Sequence, residues 1–190
     1  MPDRAVDYCL GFYEKLHFQF QITRSRETKL GDYRYDLRTG RHKITVNNDL
    51  NPYAFLITYL HEVAHLNTFK KYGRKVMPHG AEWKKNFKNI LLPVMNPIIF
   101  PLEVLHALEN HLSNPRASSC TDPVLYGVLR KYDQNKPTLT LEDIEIGALF
   151  RFKNKIYRKI KNKRTRVICE EADSKRKYLI QKIAGVEKTQ

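Results

Sequence analysis

Residues 51–73, Asn-Pro-Tyr-Ala-Phe-Leu-Ile-Thr-Tyr-Leu-His-Glu-Val-Ala-His-Leu-Asn-Thr-Phe-Lys-Lys-Tyr-Gly, constrain the chain more than any other segment. Asn51 is a good helix N-cap, Pro52 suits the first helical position because its missing N–H is not needed there, and Gly73 is a natural stop. Tyr53, Phe55, Leu56, Ile57 and Leu60 make the helix between these signals apolar and largely buried, so other elements must surround it. It also carries His61, Glu62 and His65, a group whose burial without partners would cost several kcal/mol. The chain has 190 residues, 42% of them hydrophobic and 11% aromatic, which is enough to build such a surround and excludes a disordered protein.

The neighbouring segments supply it. Val6, Cys9, Leu10, Tyr13 and Leu16 recur every three or four residues, predicting a first helix that Asp3 can cap. Phe18, Phe20 and Ile22 alternate with glutamines. Residues 33–37 and 42–46 then flank Thr39-Gly40-Arg41, a hairpin signal, so a small antiparallel sheet is expected. A helix from about His79-Gly80 to Pro93, another over about 102–112 and a short one over 124–132 follow, with 114–123 a loop. From Leu149 onward, Phe, Ile, Tyr and Val alternate with Lys and Arg, the pattern of exposed antiparallel strands. The fold class is α+β: a core over 1–113, a linker with a short helix over 114–139, and a basic β-rich module over 140–190.

Two histidines four apart sit one turn above each other on a helix, only about 40° apart around it, so both imidazoles can reach one metal ion. Glu62, one residue after the first, can approach that ion without binding it and take a proton from water there. A catalytic zinc takes three protein ligands. Gly73 and Pro78 turn the chain back before His79, which is the choice for the third; Glu82 competes, since a carboxylate on a following helix is a common alternative. His106 and His111 are five apart, cannot share a helical face, and are expected at the surface. His17 and His42 are expected to be exposed as well.

The net charge of +14 is uneven. Residues 151–190 hold 14 basic and 4 acidic side chains, leaving only +4 for the first 150 residues. Nine cations fall between 151 and 166 without one acid: Arg151, Lys153, Lys155, Arg158, Lys159, Lys161, Lys163, Arg164 and Arg166. Such a stretch suits a polyanion, most simply single-stranded or distorted DNA, with phosphates on the cations and Tyr157 open to stacking on a base, whereas Phe152 is assigned to the module's own core. A solvated strand face is the alternative. Three cysteines (Cys9, Cys120, Cys169) form no CxxC pair, no apolar run approaches a membrane span, and Met1-Pro2-Asp3-Arg4 opens no secretory signal; a cytoplasmic protein with reduced thiols is expected.

The stretch "TYLHEVAHLNTFKKYGRKVMPHGAEWKKNF", with "RHKITVNNDLNPYAFLITYLHEVAH" upstream, resembles the metalloprotease core of the SprT-like family over roughly residues 5–95. The resemblance implies a minimal zincin core hydrolysing peptide bonds, with His61, His65 and His79 holding one Zn2+ and Glu62 as the base; some members act on proteins bound to DNA. Many relatives carry a cysteine zinc ribbon after the core. With Cys169 alone in the module, no four-ligand site can form, and a metal-free β-hairpin module is expected in its place. The rival reading is a nucleic-acid-binding or scaffold protein on a retained zincin fold without proteolysis.

Overall fold

The computed structural model describes residues 1–26, 29–113, 115, 122–133 and 139–189. Most of the predicted loop over 114–123, Cys120 included, lies outside the described residues. The chain divides into two compact units, residues 1–134 and 135–190.

The first unit has the expected α+β character. Asp3 opens a 3-10 turn over Asp3–Ala5 instead of capping helix α1, Val6–Leu16. Three strands follow: β1, Gln19–Thr23; β2, Gly31–Asp36; and β3, Arg41–Asn47. The hairpin of β2 and β3 is antiparallel as predicted, with Tyr33 opposite Ile44. Strand β1, however, pairs parallel to β3, with Phe20 opposite Ile44 and Ile22 opposite Val46, so the sheet is mixed and β3 is central. The alternating apolar residues specify a strand at β1 but not its neighbour. Strand β3 carries the buried Ile44 and Val46 that face the helices.

Helix α2, Pro52–Tyr72, is buried on nearly every side over residues 54–60. The Asn51 side-chain oxygen accepts from the N–H groups of Tyr53 at 3.1 Å and Ala54 at 2.9 Å, satisfying donors that have no partner within the helix. Helix α3, Ala81–Leu91, lays Trp83, Phe87 and Leu91 against α2, and helix α4, Leu102–Ser113, adds Val104 and Leu108 to the same core. The short helix expected in a linker is α5, Pro123–Arg130, and it belongs to this unit. Its Leu125 and Leu129 enter the core, and Asn51 Nδ2 donates to Leu129 O at 2.9 Å and to Asp133 Oδ1 at 2.6 Å. Apolar residues at 3.6-residue spacing on so short a helix have no other place to be covered, which is why the linker reading fails here.

The second unit begins with a 3-10 turn, Leu141–Asp143, and continues as five antiparallel strands: β4, Leu149–Phe152; β5, Lys155–Asn162; β6, Arg166–Glu171; β7, Lys177–Gln181; and β8, Glu187–Lys188. Their order is β7-β6-β5-β4-β8. Lys153 and Asn154, at φ 51° and 62°, make the tight two-residue turn between β4 and β5 that matches the strand twist. Phe150, Val167, Cys169 and Ile180 form this unit's own core. No described helix is long and apolar enough to cross a membrane.

Candidate metal centre

Helix α2 ends at Gly73, whose φ of 63° lets its N–H close on Phe69 O at 2.7 Å. The chain then turns back through residues 74–78, and His79 is itself held in the left-handed region at φ 63°, uncommon for a side-chain-bearing residue and costing of order 1 kcal/mol or more. Gly80 follows as the N-cap of α3. This strained corner returns the His79 imidazole to the two histidines on α2. The Nε2 atoms of His61, His65 and His79 lie 3.2, 3.1 and 2.9 Å from one another.

Three nitrogens at about 2.0–2.1 Å from a tetrahedral zinc would stand about 3.3 Å apart, so the cluster is within a few tenths of an ångström of what a divalent ion requires. The three form one group able to hold a metal ion; Glu82, the competing third ligand, is not among them. Burial is the largest force on each ring and pushes its pKa down: His61 well below the usual value, His65 to about 3, His79 downward. Neutral imidazoles are the metal-binding form.

Trp83, fully buried on α3, packs against all three rings, with centroid separations of 4.6, 5.2 and 4.7 Å from His61, His65 and His79. Phe87 stacks behind it at 5.0 Å. Sequence reasoning assigned Trp83 to a helix but not to the site; its place in the first turn of the helix that follows His79 was the available signal. The buried indole Nε1 has no hydrogen-bond partner among the described residues.

Glu62 is 7% exposed. Burial, with Asp32 nearby, raises its carboxyl to about 8, against the opposing pull of the Tyr33 backbone N–H, Arg26 and Lys29. Asp32 is itself held down by Lys29 Nζ at 2.8 Å and Arg34 Nε at 2.5 Å. A cleft of about 520 Å³ opens over these groups, bounded by β2 on one side and by residues 73–79 on the other, with Phe69 and Met77 giving it apolar walls.

The other histidines divide differently from expectation. His106 and His17 are exposed, but His111 is 3% exposed and its Nδ1 lies 2.9 Å from Asp122 Oδ2, linking α4 to the cap of α5. His42 is half-buried, 2.9 Å from the Tyr33 hydroxyl and ringed by Tyr35 and Phe69.

In the second unit, two of the ten residues proposed for nucleic-acid contact are unavailable. Tyr157 is 7% exposed and stacks on Phe150 inside the core. Lys159 is 2% exposed, and its Nζ donates to the carbonyls of Leu141, Glu142 and Ile144 at 2.9, 3.2 and 2.6 Å. Both lie on the inward phase of β5, where alternation dictates burial whatever the residue's charge. Phe152 packs against this core, as assigned. Lys155 is exposed but pairs with Glu171 at 2.5 Å, Arg151 lies 4.0 Å from Glu187, and Lys153 lies over the Phe152 ring. Arg158 stands exposed on the outer face of β5. Lys161, Lys163, Arg164 and Arg166, all exposed, crowd the turn joining β5 to β6.

Residues 5–97 match the SprT-like family. Over that span the chain is similar to the SprT-like family. A 35-residue stretch is 60% identical to Protein SprT of Vibrio parahaemolyticus serotype O3:K6 (strain RIMD 2210633), covering 18% of this chain and 21% of that protein. The match therefore spans about a fifth of the curated relative's length. No solved structure matches the chain. The family segment takes in β2, α2 and α3, the three elements that build the centre.

Proposed function

We propose that this SprT-like chain is a zinc-dependent peptidase. The observation that carries the reading is the convergence of three neutral imidazole nitrogens at 2.9–3.2 Å beside a buried carboxyl in an open cleft. When bound there, a zinc ion supplies Lewis acidity, polarising a carbonyl oxygen and lowering the pKa of a water it holds. His61, His65 and His79 would be its ligands. Glu62, raised by burial, would be drawn back down by a dication held beside it, and its carboxylate would accept the proton of the attacking water and return it to the leaving nitrogen. Trp83 and Phe87 exclude water from behind the rings and fix their orientation. The test is chelation followed by graded return of zinc to the full chain, reading cleavage of fluorescein-labelled casein. Activity returning at one equivalent per chain supports the assignment, whereas activity indifferent to chelation refutes it.

We further propose a nucleic-acid partner for the second unit, engaged through the β5–β6 turn, where Lys161, Lys163, Arg164 and Arg166 are exposed without a described ion-pair partner. Such binding would bring the cleft to proteins held on DNA. Phosphate contacts release counterions, so affinity for a labelled single strand should fall with log salt at about 0.7 per phosphate neutralised. An absence of binding at low salt would leave these cations as a solvated surface. The free, buried thiols of Cys9 and Cys169 support a reducing, cytoplasmic setting.

A further inference from the structure

Strand β2 meets helix α2 at a point where the strand has no side chain. Gly31 lies opposite Val46 in the ladder, and its φ is outside the left-handed region that only Gly40, Gly73 and Gly147 among the described glycines occupy. Conformational freedom is therefore not what glycine supplies there. A Cβ on Gly31 would stand 2.6 Å from Glu62 Oε1, 2.8 Å from Glu62 Cγ and 2.7 Å from Thr58 Cγ2, all closer than real Cβ atoms approach other atoms.

The strand cannot back away cheaply. Asn47, 1% exposed, ties down the segment leading into β2: its Nδ2 donates to Lys29 O at 2.9 Å and its backbone N–H to Leu30 O at 2.9 Å. Thr58 cannot yield either, because it is buried and β-branched on a helix, which leaves χ1 little choice. The group free to move is the end of Glu62. Two residues along the same strand, the Tyr33 backbone N–H donates to that carboxylate. One stretch of main chain thus sets both how close the carboxylate comes and which way it turns.

We infer that Gly31 is a positioning residue for Glu62: the absent side chain lets the carboxylate rest against the backbone of β2, and the Tyr33 N–H orients it there. This rests on the reading of Glu62 as the base. A misplacement of about 1 Å in a reacting group can cost about 10²-fold in rate. In the zinc-loaded full chain, Gly31→Ala should lower kcat on labelled casein by about that factor. KM and zinc stoichiometry should stay near those of the wild type while Tm falls by several degrees, because the Thr58 methyl cannot yield to the new Cβ; a kinetic loss confined to kcat is the split that a packing role alone would not give. Gly31→Ala combined with Thr58→Ser removes the methyl 2.7 Å from the new Cβ and should restore part of kcat; it is also the variant to read if the single one does not fold. A wild-type kcat for Gly31→Ala overturns the inference, as does loss of zinc or failure to fold in both variants. Glu62→Gln runs alongside: if it cleaves as well as the wild type, the base assignment itself fails, a result separate from either outcome at Gly31.

Discussion

Glu62 in the first unit and Lys159 in the second are both charged side chains buried next to backbone, and the two are treated in opposite ways. Lys159 in the second unit spends all three N–H donors on three carbonyls of the turn at residues 141–144. Its hydrogen-bonding capacity is saturated, so it can only hold structure. Glu62 in the first unit accepts from the Tyr33 N–H and otherwise faces a cleft of about 520 Å³, with its carboxyl pushed up to about 8. A carboxylate offers roughly four acceptor sites, so most of its capacity is left for whatever enters the cleft. Buried charge alone does not point to a reacting group; the proposal for Glu62 rests on unspent hydrogen-bonding capacity beside open space.

Breaking the first region should have the largest effect. His79→Ala removes one of three nitrogens and should weaken zinc binding by more than about 100-fold, beyond the 10- to 100-fold typical of losing a mere supporting partner. A chelator-dye competition titration reads this, with the exposed His106→Ala as the unchanged comparator. Equal affinities for both would remove His79 from the centre.

Lys159→Met should cost about 3 kcal/mol in the second unit, roughly 1 for each carbonyl left without a donor, and should leave one zinc bound in the first. Urea unfolding of the full chain measures it. A change below about 0.5 kcal/mol, the range of ordinary surface substitutions, would mean the three bonds are not what holds the turn.

A smaller and pH-dependent effect separates the two kinds of burial. Glu62 has an ordinary value of 4.5 and a folded value of about 8, so across that window the folded state keeps a proton the unfolded chain has released, and stability falls as pH rises. His65 acts in the other direction and lower down: with a folded value of about 3 against 6.5, it makes stability rise with pH between those limits. From pH 6.5 to about 8 the Glu62 effect stands clear of it, so metal-free protein should lose about 2 kcal/mol there and Glu62→Gln should lose much less. Identical pH profiles would show that the carboxyl is not held up by burial. Smallest of all, Lys163→Gln with Arg164→Gln should alter stability by no more than about 0.5 kcal/mol while flattening the salt dependence of single-strand binding.

What could be read in the sequence follows the range of the interactions involved. Helix α2 was legible because Asn51, Pro52 and Gly73 act locally, and the His61–His65 spacing is a property of one helix. His79 was legible through Gly73 and Pro78, although not the left-handed backbone that aims it. The parallel pairing of β1 with β3 was hidden, since strand partners are chosen over long separations and a hairpin signal speaks only for adjacent strands. Gly31 lies 31 residues before the carboxylate it touches, and nothing in its neighbours announces that contact. In β5 the apolar residues fall on both phases, Ile156 outward and Tyr157 inward, so charge was a poor guide to which lysine lies inside. The register shift between Lys159 and Lys161 further blurs the alternation.

In the proposed function Glu62 reacts beside a zinc site it does not help to form. Zinc content and casein cleavage measured together on Glu62→Gln test it most directly. Glu62→Gln should keep one zinc per chain and lose at least about 10²-fold in kcat, the usual cost of removing a general base. Undiminished cleavage, or a protein that no longer holds zinc, would contradict it.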